Sequence, residues 1–294
     1  MACYLSTSCF GNTKVNEAID LCQEINPQYV EISAPHLYQP INELEVILKS
    51  YRNDGVNFTL HNYFPPPQKS FVLNIASNNK EIKSLSKKLI DGALLLSEAS
   101  GSPLYGIHPG YLYGAKANSD GMFVWDNKSK SSYKNALLHS TRLIESYYKR
   151  FEEKNKKLLI ENLFPSLKKQ SSLFCTLDEI KEYLSYVPKG IGLLLDLGHL
   201  NISSNILKFN LDEFLDEFLD EFGNRLYEIH ISENNGFQDQ HLAIGKDSWQ
   251  LDVLKRISSI ELKDNANRVY CLEARKSKKK DLISSLDLIN KAIY

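Results

Sequence analysis

The sequence lacks the features that mark membrane-spanning and exported proteins. It contains no run of roughly 18 to 20 consecutive apolar residues, which is the length that a transmembrane helix needs. Its first ten residues, MACYLSTSCF, have neither the basic segment nor the long apolar stretch of a signal peptide. We therefore expect a protein that is not embedded in a membrane and that works in the cytoplasm.

Cysteine is scarce and shows no pattern. The five cysteines are odd in number and widely separated, and none forms a CxxC pair. These facts argue against a disulfide framework and against a structural zinc site, and they favour a reducing compartment. We expect each cysteine to serve as a small buried side chain. They are Cys3, Cys9, Cys22, Cys175 and Cys271.

Neither an excess of charge nor a nucleotide-binding motif is present. Thirty-five basic residues against 36 acidic ones give a net charge of −1. This balance excludes a generally cationic nucleic-acid binder, although a local basic patch stays compatible with it. No GxGxxG or GxxxxGK[ST] motif follows any predicted strand, so nucleotide binding has no motif behind it.

What the chain does contain is a regular alternation of short apolar runs and longer amphipathic segments. Eight strand–helix units in 294 residues predict a parallel sheet closed into one (β/α)₈ TIM barrel, with residues 1–294 as a single domain. An open doubly wound sheet is the alternative. Strands are predicted at 2–7, 29–33, 57–61, 104–108, 157–161, 192–196, 226–230 and 269–273. Helices are predicted at 14–24, 41–52, 80–99, 131–153, 177–184, 211–222, 248–257 and 280–292.

Three segments have unusual compositions. Residues 211–222 repeat the tetrapeptide LDEF, which predicts an outer helix with an apolar face and a solvated acidic face. Residues 115–130 are polar and contain glycine, and we expect a mobile loop at the barrel mouth. The basic run 275–280 follows the last strand, so it is either a solvated loop or a phosphate contact.

Ionisable side chains end six consecutive predicted strands. The C-terminal ends of barrel strands converge on one mouth, so these six side chains are expected to meet there. Burying so many ionisable groups is costly unless a cation offsets them. The six are His61, His108, Glu161, Asp196, His230 and Glu273.

Two short-range pairs enlarge this set of candidate ligands. Asp239 and His241 are separated by one residue, and Asp196 is followed three residues later by His199. Five of the seven histidines thus fall on one predicted site. Imidazole and carboxylate groups suit zinc, manganese or iron(II). Zinc takes about four or five ligands, so nine candidates predict two or three clustered ions at the C-terminal mouth.

The ordered motifs resemble those of a known group of enzymes. The His-Pro-Gly motif at 108–110, Glu-Asn at 161–162, Asp-x-x-His at 196–199, and Asp-x-His followed by Ile-Gly within 239–245 occur in the right order. The chain therefore resembles the xylose-isomerase-like TIM-barrel superfamily, and within it most closely endonuclease IV, from His61 to Arg275. Its proline-rich stretch at 61–67 also resembles uncharacterised sugar phosphate isomerase/epimerase-like barrels.

The resemblance implies a division of the nine ligands among three zinc ions. By that pattern, His61, His108 and Glu161 hold the first ion, and Glu161 bridges to a second. His199, Asp239 and His241 hold a third. The second ion is completed by Asp196, His230 and Glu273, and sugar isomerases of the superfamily use this same set, with Glu161, for a single Mn²⁺ or Mg²⁺.

Two enzymatic readings follow from the resemblance. The first is hydrolysis of a phosphoester at a zinc cluster, with Glu161 or Glu273 orienting the nucleophile and with abasic DNA or a small phosphorylated sugar as substrate. The alternative is a sugar or sugar phosphate isomerase or epimerase that uses one Mn²⁺, Fe²⁺ or Mg²⁺ and the Glu161/Glu273 pair as acid and base. A third reading is a metal-binding or sugar-binding barrel without catalysis.

Five further residues are candidates for substrate binding, and no obligatory protein partner is predicted. The aromatic pair after the third strand can form the wall of a sugar site or a wedge in DNA, and the cations after the eighth strand can contact a phosphate. These candidates are His36, Tyr63, Phe64, Arg275 and Lys276.

Overall fold

Eight parallel strands close into a barrel surrounded by helices. The structure, a computed structural model, describes residues 2–117, 123–167, 170–264 and 266–294. Around the barrel the strand order is β1-β10-β9-β8-β7-β4-β3-β2, and β2 pairs again with β1. The predicted TIM barrel is therefore confirmed. The barrel strands are β1 (Ala2–Ser6), β2 (Tyr29–Ile32), β3 (Asn57–His61), β4 (Leu104–Ile107), β7 (Lys157–Glu161), β8 (Gly192–Asp196), β9 (Leu226–Ile231) and β10 (Val269–Leu272).

Helices connect these strands in the order that right-handed β–α–β units require. All of them except α6 have a clear apolar stripe, which packs on the outer surface of the barrel because burial there removes it from water. They are α1 (Val15–Gln23), α2 (Ile41–Asn53), α3 (Lys80–Ser100), α4 (Tyr133–Glu152), α5 (Leu177–Ser185), α6 (Leu197–Leu207), α7 (Leu211–Phe222), α8 (Gln250–Ser258) and α9 (Lys279–Ile293). Among the described residues, no helix is long and apolar enough to cross a membrane.

Helix α7 is the predicted outer helix of the LDEF repeat. Its phenylalanines Phe214, Phe218 and Phe222 are buried against the barrel. The opposite acidic face is partly neutralised by neighbouring helices, since Lys181 binds carboxylates of α7 at 2.5 and 2.9 Å and Arg256 pairs with Asp216. The repeat is thus a structural feature of the barrel wall. The five cysteines are free and buried, as expected.

The segment after β4 differs from the expected mobile loop. It forms a β-hairpin from β5 (Gly114–Ala117) and β6 (Phe123–Asp126), and the intervening residues lie outside the described part of the chain. Aromatic side chains explain why the hairpin docks instead of remaining in solvent. The rings of Phe123 and Trp125 lie 5.4 and 5.3 Å from the ring of Tyr111, between centroids.

Helix α6 was not predicted, because its sequence LGHLNISSNIL has no clear apolar stripe and contains glycine and β-branched residues. It begins directly at the end of β8, where Asp196 caps it: one carboxylate oxygen, Oδ1, accepts a hydrogen bond from the backbone N–H of His199 at 2.7 Å. This cap fixes the direction of the Asp196 carboxylate at the barrel mouth.

Candidate metal centre

Glu161, at the end of β7, lies at the centre of a cluster of imidazoles. Its Oε2 is 2.7 Å from Nε2 of His61 and 3.0 Å from Nε2 of His108, and its Oε1 is 3.1 Å from Nδ1 of His199. Strands β3, β4 and β7 are neighbours in the barrel, so their C-terminal ends deliver these side chains to one point. Glu161 is fully enclosed, with 1% of its surface exposed.

A second group lies beside it at the ends of β8, β9 and β10. Nδ1 of His230 is 3.9 Å from Oδ2 of Asp196 and 3.6 Å from Oε2 of Glu273. Both Asp196 Oδ2 and His230 Nδ1 are buried, and neither has a hydrogen-bond partner among the described residues. Such unpartnered polar atoms are rare in protein interiors because each one costs the free energy of its lost hydration.

The third group comes from the loop after β9. Oδ2 of Asp239 is 2.8 Å from Nε2 of His241 and 3.6 Å from Nε2 of His199. His241 adopts a left-handed backbone conformation, with φ at 47°, which is uncommon for a residue with a side chain. This conformation is accompanied by a contact of its Nδ1 with the main-chain oxygen of Glu273, at 3.1 Å. The structure therefore brings all nine predicted ligands to one mouth.

Contacts outside this centre fix the orientation of four of the imidazoles. In each case Nδ1 contacts an oxygen of the surrounding protein and Nε2 lies near a carboxylate of the centre. Nδ1 of His199 and of His241 also lie near carboxylates, at 3.1 Å from Oε1 of Glu161 and 3.5 Å from Oε2 of Glu273. Metal-binding histidines typically have such outer partners, which set the tautomer and the ring orientation. The four contacts are His61 to Ser33 Oγ at 3.2 Å, His108 to Tyr111 OH at 2.8 Å, His199 to the main-chain oxygen of Asn162 at 2.9 Å, and His241 to that of Glu273.

Electrostatic coupling shifts the pKa values of these groups in opposite directions. Burial raises the pKa of Glu161, but His108 and His61 outweigh burial and hold that pKa well below its usual range. Burial likewise opposes ionisation of His199, yet Asp196 and Asp239 raise the pKa of the imidazole well above its usual value. Burial also raises the pKa of Asp196. The centre thus holds protons that a bound cation can replace.

The donor set fits a divalent metal ion. Three groups of residues each bring three ligand atoms within 4.8 Å of one another. The groups are Asp196, His230 and Glu273; His61, His108 and Glu161; and Glu161, Asp196 and His199. Nitrogen and carboxylate donors at this spacing suit zinc, manganese or iron(II). A cation would also partner the two unpartnered atoms of Asp196 and His230.

The predicted substrate-binding residues lie in different environments. Tyr63 is partly buried at the mouth, where its hydroxyl lies 3.5 Å from that of Tyr111 and its ring packs edge-on against His108. The prediction for Phe64 is wrong: this side chain is 0% exposed and belongs to the core, because the chain turns inward after Tyr63. Nε2 of His36 lies 2.9 Å from Thr7 Oγ1, and burial lowers the pKa of His36 to about 4.

The two predicted cations after β10 also differ from each other. Arg275 donates from Nη2 to Oε1 of Glu273 at 3.2 Å, and its Nε is buried and has no hydrogen-bond partner among the described residues. Burial disfavours the charge of Arg275, but Glu273 and Asp239 raise the pKa of the guanidinium. Lys276 is exposed in a left-handed turn with φ at 56°. Arg275 is thus a part of the mouth, and Lys276 points to solvent.

Residues that sequence reasoning missed complete the centre. Glu31 lies on β2 and is buried, with its Oε2 2.7 Å from Nε2 of His230. Phe164 packs on the ring of His199, with centroids 4.9 Å apart. Glu31 was overlooked because it precedes the last residue of its strand, although strict alternation along β2 puts positions 29, 31 and 33 on one face.

A comparison with known families places the chain. A family model described as xylose isomerase-like TIM barrel matches residues 14–290, which is nearly the whole sequence. The chain belongs to the xylose isomerase-like TIM barrel family. Superfamily membership, which the ordered motifs predicted, is therefore confirmed. The finer likeness to endonuclease IV stays a prediction.

One relative in sequence and two solved structures are similar to the chain over nearly its whole length. An uncharacterized protein of Methanocaldococcus jannaschii is 25% identical over 272 residues, which are 90% of this chain and 92% of the relative. A solved D-tagatose 3-epimerase-like protein superposes with a TM-score of 0.74 at 20% identity, with both chains fully covered. A D-psicose 3-epimerase from Clostridium cellulolyticum H10, solved with D-tagatose, gives a TM-score of 0.70 at 12% identity over 100% of this chain and 99% of the other. At these identities the two structures are evidence for the fold alone.

Proposed function

We propose that the protein is a metal-dependent isomerase or epimerase of a sugar or sugar phosphate. The observation that carries this proposal is the pair of buried, unpartnered atoms Asp196 Oδ2 and His230 Nδ1, which lie between Glu161 and Glu273. One divalent cation held by these four residues would satisfy both atoms. The neighbouring structures named as epimerases support the same reading.

The four residues have distinct duties in this reading. Asp196, His230, Glu161 and Glu273 would hold the ion, which supplies a positive centre that polarises the carbonyl and hydroxyl oxygens of a bound sugar. Glu161 and Glu273 come from β7 and the end of β10, on opposite sides of β8 and β9, which carry Asp196 and His230. Two carboxylates on opposite sides of a substrate are what proton exchange at carbon requires.

The proton balance of the reaction is simple. One carboxylate takes the proton from the carbon next to the carbonyl group, and the bonding electrons move into an enediolate. In an epimerisation the opposite carboxylate returns a proton to the other face of the same carbon. In an isomerisation the proton is returned to the former carbonyl carbon, and the hydroxyl proton of the first carbon passes to the former carbonyl oxygen, so that carbonyl and hydroxyl groups exchange places. No external oxidant or reductant is needed.

Arg275 is placed to act on Glu273 and on the substrate together. Its hydrogen bond to Oε1 of Glu273 orients that carboxylate, while its Nε has no hydrogen-bond partner among the described residues and can donate to a substrate oxygen. Tyr63, beside His108, offers an aromatic surface for the apolar face of a sugar ring. We therefore keep Tyr63 and Arg275 as substrate-binding residues.

The charge of the centre connects the number of ions to the class of substrate. Five carboxylates and one guanidinium, with neutral imidazoles, leave four negative charges: Glu31, Glu161, Asp196, Asp239 and Glu273 against Arg275. One divalent ion leaves the centre negative, which favours a neutral sugar. Three ions make it positive, which favours a phosphorylated substrate.

Hydrolysis of a phosphoester is the second candidate, and a specific observation favours it. His61 and His108 around Glu161, and His199 and His241 around Asp239, are two further groups that could hold additional ions. Two or three clustered zinc ions generate a strong nucleophile and neutralise a phosphate. Against abasic DNA as its substrate, residues 236–241 (GFQDQH) contain no basic side chain other than histidine to hold a DNA backbone.

Two measurements separate these candidates. Elemental analysis of the purified protein gives the number and kind of ions per chain, and a panel of ketoses, aldoses and their phosphates is incubated in D₂O with each ion. Metal-dependent deuterium incorporation next to the carbonyl group supports the isomerase or epimerase. Two or three zinc ions together with cleavage of an abasic oligonucleotide, and no deuterium incorporation, would support the hydrolase instead. Asp196→Asn is the control for both reactions.

A further inference from the structure

Glu31 is a buried carboxylate that the proposed chemistry does not use. It lies on the inner face of β2, it is 0% exposed, and its Oε2 is 2.7 Å from Nε2 of His230. The other oxygen, Oε1, has no hydrogen-bond partner among the described residues. Burying an isolated carboxylate costs free energy of folding, so we expect Glu31 to have a function in its contact with His230.

The contact with Glu31 gives the ring of His230 an orientation opposite to that of His61 and His108. Of the five imidazoles of the centre, His61 and His108 contact a hydroxyl oxygen with Nδ1 and turn Nε2 toward Glu161. His230 instead contacts Glu31 with Nε2 and turns Nδ1 toward Asp196 and Glu273. Among these five imidazoles, His230 is also the one whose outer partner is a carboxylate; the others contact a hydroxyl or a main-chain oxygen.

A carboxylate on the outer nitrogen has two chemical consequences. It fixes the ring in the tautomer with hydrogen on Nε2, which leaves the Nδ1 lone pair free to bind a cation. It also increases the basicity of the imidazole, and both effects strengthen metal binding. The affinity for an ion at Asp196, His230 and Glu273 would thus depend on Glu31, whose strand β2 is two strands away from β10 in the barrel.

We propose that Glu31 is a positioning residue that makes His230 an Nδ1 ligand and raises the affinity of the centre for its divalent ion. This inference rests on the metal site of the proposed function, but not on the reaction. The competing role is that of a direct ligand, because an oxygen of Glu31 also lies within 4.8 Å of ligand atoms of His61 and Glu273. The two roles differ in their effect on stoichiometry.

Glu228 provides a matched control on the same inner surface. It lies two residues before His230 on β9, it is 0% exposed, and no hydrogen bond joins it to His230. Glu228→Gln therefore changes a buried carboxyl group of the barrel interior without changing the outer contact of His230.

The test compares Glu31→Ala, Glu31→Gln and Glu228→Gln with the unmodified protein. Affinities for Zn²⁺ and Mn²⁺ are measured by chelator competition, ions per chain by elemental analysis at saturation, and the zinc-bound nitrogen of His230 by ¹⁵N NMR. We expect Glu31→Ala to weaken binding by about 10- to 100-fold with unchanged stoichiometry. Glu31→Gln should lose less, because its amide oxygen still accepts from Nε2, and Glu228→Gln should stay within about twofold of the unmodified protein.

Several results would overturn the proposal. The first is a metal affinity of Glu31→Ala within about twofold of that of the unmodified protein, and the second is the loss of one ion per chain in Glu31→Ala. The third is an equal loss of metal affinity in Glu228→Gln. The fourth is zinc bound to Nε2 of His230 in the unmodified protein. Thermal melts of the metal-free variants show whether Glu31→Ala is folded; if it is not, Glu31→Gln decides. Normal metal behaviour without any sugar reaction would refute the proposed function and leave this role of Glu31 intact.

Discussion

The side chain of Asn162 binds both main-chain groups of Asp196. Its Oδ1 accepts from the Asp196 N–H at 2.7 Å, and its Nδ2 donates to the Asp196 carbonyl oxygen at 3.0 Å. The main-chain oxygen of Asn162 also contacts Nδ1 of His199. Asn162, which directly follows Glu161, therefore connects the ends of β7 and β8 and orients two candidate ligands, Asp196 and His199.

Replacing Asn162 by alanine removes the two side-chain hydrogen bonds that connect it to the main chain of Asp196. We expect the free energy of unfolding to fall by about 1 to 3 kcal/mol, because two buried main-chain groups lose their partner. Metal affinity should fall by about 10-fold or more, as happens when an outer contact of a ligand is removed. Denaturant unfolding and chelator competition measure the two effects; unchanged metal affinity in a destabilised variant would show that these hydrogen bonds have only a structural role.

His241→Ala tests whether the third group of ligands holds an ion. If the centre is polynuclear, the variant should bind one ion fewer at saturation and remain folded, since His241 lies in the loop after β9 and outside the barrel strands. Elemental analysis and a thermal melt are sufficient for this test. Unchanged ion content would mean that Asp239 and His241 do not hold a metal, which would favour the single-ion isomerase or epimerase.

The metal-free protein should become less stable as the pH rises above neutrality. Burial opposes the charge of His230, but Glu31 raises the pKa of its imidazole well above the usual value, and the pKa of His199 is raised as well. The stabilisation from these groups is complete below the unfolded-state pKa of about 6.5 and is lost as the pH passes through the raised folded-state values. The melting temperature of the metal-free protein should therefore fall as the pH rises above about 6.5.

Bound metal should reverse that trend. Cations compete with protons for the same nitrogen and oxygen atoms, so the stabilisation by saturating Mn²⁺ should grow with pH over this range. At the acid end the lowered pKa values of Glu161 and Asp239 predict a loss of stability below about pH 4. A metal-free melting temperature that rises as the pH increases above about 6.5 would contradict the assignment of these shifts.

Arg275→Ala should lower kcat/KM for the sugar by about 10- to 100-fold, because a hydrogen bond to a charged group contributes about 1.5 to 3 kcal/mol. Burial raises the pKa of Glu273, but Arg275 and nearby imidazoles hold it well below the usual value. Loss of the guanidinium should therefore shift the acid limb of the pH–rate profile to higher pH. Lys278→Ala, three residues farther along the chain and exposed to solvent, is the control and should leave both quantities unchanged.

Most of the barrel strands and the set of candidate ligands can be predicted from the sequence, because both follow from local patterns. Apolar runs that end in His, Asp or Glu show where strands reach the mouth, and the observed strands differ from the predicted ones by at most one residue at each end. Helix α6 and the hairpin β5–β6 were missed for a common physical reason. Asp196 caps the first, and ring packing on Tyr111 holds the second, and neither contact is visible in local periodicity.

The orientation of the ligands also lay beyond the sequence. Glu31 reaches His230 across a separation of 199 positions, so only the closed barrel brings them together. Phe64 was expected at the mouth beside Tyr63, but adjacent residues in an irregular loop can face opposite ways, and Phe64 faces the core. Conversely, Asn162 was part of the Glu-Asn motif, although nothing local indicated that it would bind Asp196.

Deuterium incorporation from D₂O into a sugar tests the central claim most directly. With Mn²⁺ or Zn²⁺ bound, the account predicts ¹H NMR loss of the proton next to the carbonyl group of at least one ketose, aldose or sugar phosphate. The exchange should vanish on metal removal and in Glu161→Gln, Glu273→Gln and Asp196→Asn. Absence of exchange with every sugar of the panel, in a protein shown to hold its metal, would contradict the account.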